Sequence, residues 1–281
     1  MYLLFDIGAT NSRLALSQDY NTFEKPLIFT TPQNFNDWID RIKKEKDLIG
    51  MDRRIQKVVV GIRGILNKEK SMIIKDTYLN DWVDKPLKER LSEIFNSEVL
   101  IENDASLAGL GEAVKGAGKG YKIVAYITLS TGIGGVRIVD GKIDANRFGF
   151  EPGHQIIDCD GTVFPHINGK EKDWSLGELE SLASGKSILL RFGKNPQEIT
   201  DKNIWREIHK NIAVGLANTI VHWSPDVVVL GGALVNKITI QNIILELEKV
   251  LKIFPELPLI KKSELGDFSG LYGGLEYSKQ I

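Results

Sequence analysis

Short apolar blocks separated by polar turns dominate the first fifth of the chain. Tyr2–Phe5 and Arg13–Ser17 read as two strands around a Gly-containing turn, the pattern of a β-hairpin, and Lys25–Thr30 adds a third strand. Phe35, Trp38, Ile39, Ile42 and Leu48 then fall at helical spacing, so an amphipathic helix follows. Val58–Ile62 and Ser71–Lys75 read as strands. Pro86–Phe95 reads as a helix with Pro86 in its first turn, where a missing N–H does no harm. The strand Glu98–Ile101 leads into a helix from about Asp104 to Val114.

Gly116-Ala117-Gly118-Lys119-Gly120 breaks the pattern, and the layout then begins again. Strand Lys122–Leu129, a Gly-rich turn and strand Gly135–Val139 form a second hairpin signal. Helices follow at Leu176–Ala183 and Ile204–Trp223, then the strand Val227–Leu230, a helix near Ile238–Leu251 and a Gly-rich helical end. Two halves that each start with a hairpin and then mix helices with strands predict an α/β architecture of two related domains. The expected division is residues 1–115, a smaller domain, and residues 116–281, a larger one. The helix at about 270–281 is a candidate to pack back on the first domain. A cleft between such domains is the usual place for a ligand.

Composition narrows the function. With 281 residues the chain is long enough for two modest cores. A formal net charge of −1 gives no general attraction to nucleic acid or anionic membranes, so neither is an expected partner. Met1–Phe5 is apolar but meets Asp6 at once, too short for a signal peptide, and no run approaches a membrane span. Cys159 is the single cysteine, which allows no internal disulfide. A cytoplasmic protein is the expectation.

Asp6-Ile7-Gly8-Ala9-Thr10-Asn11-Ser12 is the first chemical signal. Gly8 lets the backbone turn tightly near a ligand, Thr10, Asn11 and Ser12 offer short donors, and Asp6 at a strand end suits Mg²⁺ held through water. Taken alone, a plain polar hairpin turn explains it equally well. Thr128-Leu129-Ser130-Thr131-Gly132-Ile133-Gly134-Gly135 is the second. A strand-like segment follows it, whereas a dinucleotide turn must open a helix, so that reading fails. No G-x-x-x-x-G-K-[ST] loop occurs. As a pair, the two Gly/Thr turns point to loops closing on phosphates. Val229-Leu230-Gly231-Gly232 is a weaker signal for a flat nucleoside beside a glycine backbone.

Glu102-Asn103-Asp104 ends a strand and starts a helix. Either Asn or Asp alone is an ordinary cap, but two exceed what capping requires. A carboxylate at a helix N-terminus is kept ionised by the dipole and suits a base that accepts a hydroxyl proton. Glu151-Pro152-Gly153-His154 flanks a rigid turn with two groups able to grip sugar hydroxyls. Glu178 and Glu180 add carboxylates further on, for one of which an ordinary helical position is explanation enough.

Together these segments resemble the ROK family of sugar kinases nearly end to end. The family's first phosphate motif resembles Asp6–Thr10, its second Thr131–Gly135, its Asn-Asp pair Asn103 and Asp104. Its E-x-G-H signature falls on Glu151 and His154, a sugar-binding glutamate on Glu180, and its adenosine segment on Val229–Gly232. The resemblance implies an RNase H-like, actin-type fold with sugar and ATP between two domains. It makes Asp104 the catalytic base and Asn103, Glu151, His154 and Glu180 the sugar ligands. Gly61 to Gly64, with Gly64 itself as a ligand, lie along the sugar pocket, and Asn80 with Trp82 covers one side. Nucleotide contacts fall on Asp6, Gly8, Ala9, Thr10, Asn11, Thr131, Gly132, Gly231 and Gly232, with Mg²⁺ at Asp6. A homodimer is what the family often forms.

Three departures stand out. The family's C-x-C-G-x-x-G-C zinc segment is replaced by Asp158-Cys159-Asp160-Gly161 and Thr162–His166, with Glu178 where the last cysteine falls, so the structural zinc is expected to be absent. Packing by Phe164 and Trp174 must then hold His154, and His166 reads as a surface histidine. Arg63 stands where many members have proline, an extra charge aimed at the sugar or its substituent. Asn11 replaces a frequent lysine. The resulting expectation is transfer of the γ-phosphate of MgATP to a hexose, at the 6-hydroxyl of glucose or a near relative. The alternatives are an N-acetylhexosamine kinase and a sugar-binding regulator without catalysis. Family regulators carry an N-terminal helix-turn-helix, whereas this chain reaches its first loop by Asp6.

Overall fold

The computed structural model describes residues 1–48, 54–161 and 177–281. They form two compact units: residues 1–115, 145–149 and 267–281, and residues 116–144 and 150–266. The first unit is built on strands β1 (Tyr2–Ile7), β2 (Asn11–Ser17), β3 (Leu27–Thr30), β4 (Lys57–Ile62) and, after a small hairpin of β5 (Ile65–Leu66) and β6 (Ile73–Lys75), β7 (Glu98–Asn103). Helices α1 (Phe35–Leu48), α2 (Leu87–Phe95) and α3 (Asp104–Lys115) interleave with them. Sheet order is β3-β2-β1-β4-β7, with β1 antiparallel to β2 and parallel to β4.

Alternation along β1 sorts its side chains between two cores. Leu3, Phe5 and Ile7 pack with Trp38, Ile42, Leu91 and Phe95 of α1 and α2. Leu4 points the other way, into a cluster with Val59, Leu100 and Leu107. Asp6 shares that second face by parity, and so do Gly61 on β4 and Glu102 on β7. Trp82 belongs to the first core: it is 1% exposed, packs against Phe35 and Trp38, and its indole N–H donates to Pro32 O at 3.3 Å. It therefore cannot cover a sugar pocket, contrary to the sequence expectation.

The second unit repeats the plan strand for strand. It comprises β8 (Ile123–Leu129), β9 (Ile133–Val139), β10 (Lys142–Ile143), α4 (Leu179–Ala183), α5 (Gly185–Phe192), α6 (Lys202–Trp223), β11 (Val227–Gly231), α7 (Ile240–Val250) and β12 (Leu259–Lys262). Its sheet order, β10-β9-β8-β11-β12, has the same antiparallel hairpin followed by two parallel strands. Helix α6 lies over a core with Ile127, Leu129, Val228 and Leu230. Edge strand β12 was not read from the sequence: Pro258 precedes it and two lysines end it, so its apolar signal is only two residues long.

Residues 267–281 return to the first unit as α8 (Ser269–Gln280), which packs on α3 at backbone distance. A Cβ on Gly273 would sit 1.7 Å from Leu107 O, and one on Gly111 would sit 2.3 Å from Ser269 O. Among the described residues no helix is long and apolar enough to cross a membrane.

Candidate active site

In the first unit, β7 delivers Asn103 and Asp104 to the start of α3. Asn103 Oδ1 accepts from Ser106 N at 3.1 Å, so Asn103 is the helix cap, and its amide nitrogen donates to Gly64 O at 3.4 Å. Capping is thus assigned to Asn103, and Asp104 occupies the first helical position with Ala105 N donating to its Oδ1 at 2.8 Å. Burial pushes the Asp104 carboxyl above its ordinary value; the Arg63 charge and the Ala105 amide pull it down by less. The sequence reading took the helix dipole to dominate here. Burial wins instead, because the carboxylate loses more hydration than the helix end replaces. A raised pKa brings the group closer to the range useful for accepting a proton.

Arg63 does not point freely at a ligand. Its Nε donates to Asp76 Oδ2 at 2.8 Å and its guanidinium lies 4.2 Å from the Tyr78 ring centroid. Asp76 is in turn fixed by Tyr78 N and Leu79 N, each 2.6 Å from Oδ1. Asn80, itself exposed, begins the 3-10 turn that ends at the buried Trp82.

Asp6, next to last in β1, has Arg13 Nη1 3.0 Å from its Oδ2. Burial raises its carboxyl to about 6 against the pull of Arg13, with the charges of Asp104 and Asp267 pushing further up. Buried negative charge that one arginine leaves uncompensated is a donor set that fits Mg²⁺, a hard cation preferring oxygen. The adjoining turn is braced from β3: Thr31 N donates to Thr10 O at 2.9 Å and Thr31 Oγ1 to Gly8 O at 2.9 Å. Gly8 N closes the turn on Asn11 O at 3.0 Å. Thr10 and Asn11 are exposed and Ala9 is half-buried, but Ser12 is fully buried and bonded to Thr31 and the Trp38 indole. Ser12 is therefore a brace for the turn, not a ligand donor as read from the sequence.

In the second unit, the β8–β9 turn is closed by Ser130 N on Gly132 O at 2.9 Å and braced by Gly185 N on Ser130 O and Lys186 N on Thr131 O, at 2.8 and 3.1 Å. Thr131 is exposed at its tip. Glu180, from α4, accepts Ile133 N on Oε2 at 2.6 Å, and a Cβ on Gly132 would stand 2.5 Å from that oxygen. One carboxylate oxygen of Glu180 is thus committed to the Gly132 turn. Gly231 and Gly232 have internal reasons to be glycine: a Cβ would meet the Tyr126 hydroxyl at 2.2 Å or Leu129 O at 2.4 Å, and Gly232 has φ +87°. Close approach of a flat ligand is not needed to explain them.

His154 ends a 3-10 turn, Pro152–His154, pressed so closely on β9 that a Cβ at Gly153 would lie 2.1 Å from Ile133 O. Its Nδ1 is 2.8 Å from Glu178 Oε2. Burial alone depresses the His154 pKa, but the Glu178 hydrogen bond and the charges of Glu178, Glu151 and Glu180 outweigh it, and the net shift is upward. Glu178 is carried there by chain pairing: an Ile156–Glu178 bridge, Ile157 N on Gly177 O and Leu179 N on Gln155 O. The sequence reading looked to Phe164 and Trp174 to hold His154; both, with His166, lie outside the described residues. Glu178 was the residue it undervalued, and its only sequence signal was its position at the last cysteine of the zinc motif. Cys159 is exposed and is the single thiol of the chain where that motif supplies three, and the Nδ1 of His154 is engaged by a carboxylate. These donors do not match the cysteine zinc site.

Two hairpin-led α/β units, one with a half-buried carboxylate at a helix start and the other with Gly-rich turns and a histidine–carboxylate pair, define a class of protein. The ROK family profile matches residues 2–281, and the chain belongs to the ROK family. Among curated relatives it is similar to the N-acetyl-D-glucosamine kinase of Mannheimia succiniciproducens, 28% identical over 296 aligned positions that cover 96% of each chain. It is also similar to the glucokinase of Streptomyces coelicolor, 27% identical with 82% of this chain and 80% of that one covered. Its fold is that of the ROK hexokinase from Thermus thermophilus, of actin-like type, with a TM-score of 0.81 at 24% identity over 99% of this chain and 98% of that one. The ROK family glucokinase from Streptomyces griseus, solved with glucose and AMPPNP, gives a TM-score of 0.79 at 23% identity, covering 99% and 100%.

Proposed function

We propose that this chain is an ATP-dependent sugar kinase that transfers the γ-phosphate of MgATP to a hexose, at the 6-hydroxyl of glucose or a close relative. The observation that carries it is Asp104: a half-buried carboxylate at the start of α3, with raised pKa and relieved of capping by Asn103. In the proposed reaction Asp104 accepts the proton of the attacking hydroxyl. If the transition state is loose, positioning and charge stabilisation supply most of the acceleration and the base acts late. Gly64, Asn80 and Asn103 from the first unit and Glu151, His154 and Glu180 from the second are the proposed sugar ligands. Glu180, tied through Oε2 to the Gly132 turn, then links sugar binding to the loop proposed to receive phosphate. Asp6, Gly8, Ala9, Thr10 and Asn11 form the other phosphate loop, with Thr131, Gly132, Gly231 and Gly232 contributing nucleotide contacts. Mg²⁺, held at Asp6 through water, supplies charge neutralisation on the phosphates.

A kinase for N-acetylhexosamines is the second reading, favoured by the several relatives named N-acetyl-D-glucosamine kinase. We propose a cytoplasmic setting, a homodimer as the assembly, and no structural zinc. A panel of glucose, mannose, fructose and N-acetylated hexosamines with MgATP, read as sugar-dependent ADP release, separates the two kinase readings. Asp104→Ala is expected to lower turnover about 10²–10⁴-fold. Equal activity in wild type and Asp104→Ala, or no sugar-dependent ADP release in wild type, overturns the proposal and leaves the non-catalytic regulator as the better reading.

A further inference from the structure

Gly64 and Asn103, two of the proposed sugar ligands, share with other residues of the first unit the lining of a cavity of about 640 Å³. The rest of its lining carries none of the residues proposed to hold the hexose. Lys68, Lys70, Arg147 and Phe148 form it, with Asn67 and Asn146 adding amide groups and Glu102 at the floor.

The segment that carries Lys68 and Lys70 is an ordered turn. Asn67 Oδ1 accepts Ser71 N at 2.8 Å and Met72 N at 3.3 Å, and Lys70 N returns to Asn67 O at 2.9 Å. This tight turn holds Lys70 at φ +47°, a conformation that disfavours side chains with a Cβ. Its ammonium is thereby directed onto the buried carboxylate of Glu102 and lies 5.9 Å from the Tyr277 ring centroid. Glu102 also accepts Asn103 N at 2.9 Å, so the cavity floor and the proposed sugar ligand share one carboxylate.

Charge is left over. Glu102 balances Lys70, whereas Lys68 and Arg147 are in no ion pair among the described residues. Arg147 lies 5.0 Å over the exposed ring of Phe148, which presents its guanidinium at the cavity. Lys68 and Arg147 are both exposed, and two unpaired cations on one concave surface concentrate positive potential there. A neutral hexose has no use for it, and the chain's overall charge of −1 shows that it is local.

We infer that this cavity is an anion subsite adjoining the acceptor sugar, and that it takes a phosphate or carboxylate group through Lys68 and Arg147. The inference rests on the sugar-kinase reading for its neighbour, Asn103. The group arrives either as a substituent on the acceptor sugar or as a free anion bound beside a neutral one. No bond is made or broken in the subsite.

The test uses the full chain, wild type, Lys68→Gln/Arg147→Gln and Lys68→Glu/Arg147→Glu, with folding of each checked by thermal melting. Acceptors are glucose, glucose 1-phosphate and 3-O-carboxymethylglucose, with methyl glucoside and 3-O-methylglucose as uncharged partners. If the anion is a substituent, an acidic acceptor exceeds its uncharged partner in kcat/KM by about tenfold in wild type, and both variants lose that preference while glucose phosphorylation is unchanged. If the anion is free, inorganic phosphate raises the melting temperature or lowers the KM for glucose in wild type and does neither in the variants. Phosphorylation of neutral sugars with no response to acidic acceptors or phosphate that depends on Lys68 and Arg147 overturns the subsite and leaves the kinase reading standing. Failure to phosphorylate any sugar overturns the kinase reading, and the subsite with it.

Discussion

Replacing Asp6 by asparagine alters how the stability of the first unit depends on pH, in a direction set by burial. The Asp6 side chain is 14% exposed, and its carboxyl is raised from an ordinary 3.8 to about 6, with burial as the largest cause. A rise of about 2 corresponds to about 3 kcal/mol of preference for the protonated form in the folded state. Between about pH 4 and pH 6 the folded chain therefore binds this proton more tightly than the unfolded chain, and stability falls as pH rises through that window. Above about pH 6 the full cost of the buried charge is present; below about pH 4 it is gone. Asparagine removes the proton equilibrium and also the ion pair with Arg13. The informative quantity is thus the wild-type minus variant difference across pH, not its value at one pH. That difference is expected to turn against wild type by about 3 kcal/mol from pH 4 to pH 7. Hydrogen exchange of the β1 and β4 amides in denaturant reads the first unit by itself. A difference that is flat over this range, or that moves in favour of wild type with rising pH, refutes the reasoning. Bound Mg²⁺ favours the ionised carboxylate, so MgATP is expected to move this titration to a pH below about 6.

Glu178→Gln removes the charge that holds His154, so the His154 pKa measured by NMR is expected to fall, and the KM for sugar to rise about tenfold with a smaller change in kcat. An unmoved His154 titration, or one tightly held zinc per chain by metal analysis, defeats the role given to Glu178. Gly273→Ala places a methyl 1.7 Å from Leu107 O, a backbone atom that cannot rotate away. A loss of about 3 kcal/mol is expected, seen as a lower melting temperature; melting like wild type contradicts the packing of α3 on α8.

Much of the architecture was readable because it follows from periodicity. The alternation of Leu3, Phe5 and Ile7 against Leu4 and Asp6 marks β1 as a strand with two buried faces, and the same logic recurs after Gly120. Motif residues were found where chemistry and local structure coincide, as at Asn103-Asp104 and Pro152–His154. What stayed hidden depends on partners distant in sequence. Ser12 looked like a loop donor until Trp38 and Thr31 came to rest against it. Trp82 looked available to a sugar because its neighbours are polar, yet it is held in the core by Phe35 and Trp38. Arg63 is matched by Asp76, and His154 by Glu178, 24 positions away, through a bridge that no local pattern announces. Residues 145–149 sit in the second half of the sequence but belong to the first unit, so the anion cavity could not be assembled from either half alone.

The seating of α8 on α3 has a consequence for biosynthesis. The helix that begins with Asp104 is complete once residue 115 has been made, but the surface it needs arrives only with residues 267–281. While the ribosome adds the intervening 150 or so residues, Leu107 and its neighbours on β1 and β4 wait uncovered. The second unit is nearly continuous in sequence and is expected to settle first. The Leu107 face of α3 is therefore the part of the first unit that waits longest for its packing partner, since the sequence of the second unit lies between them.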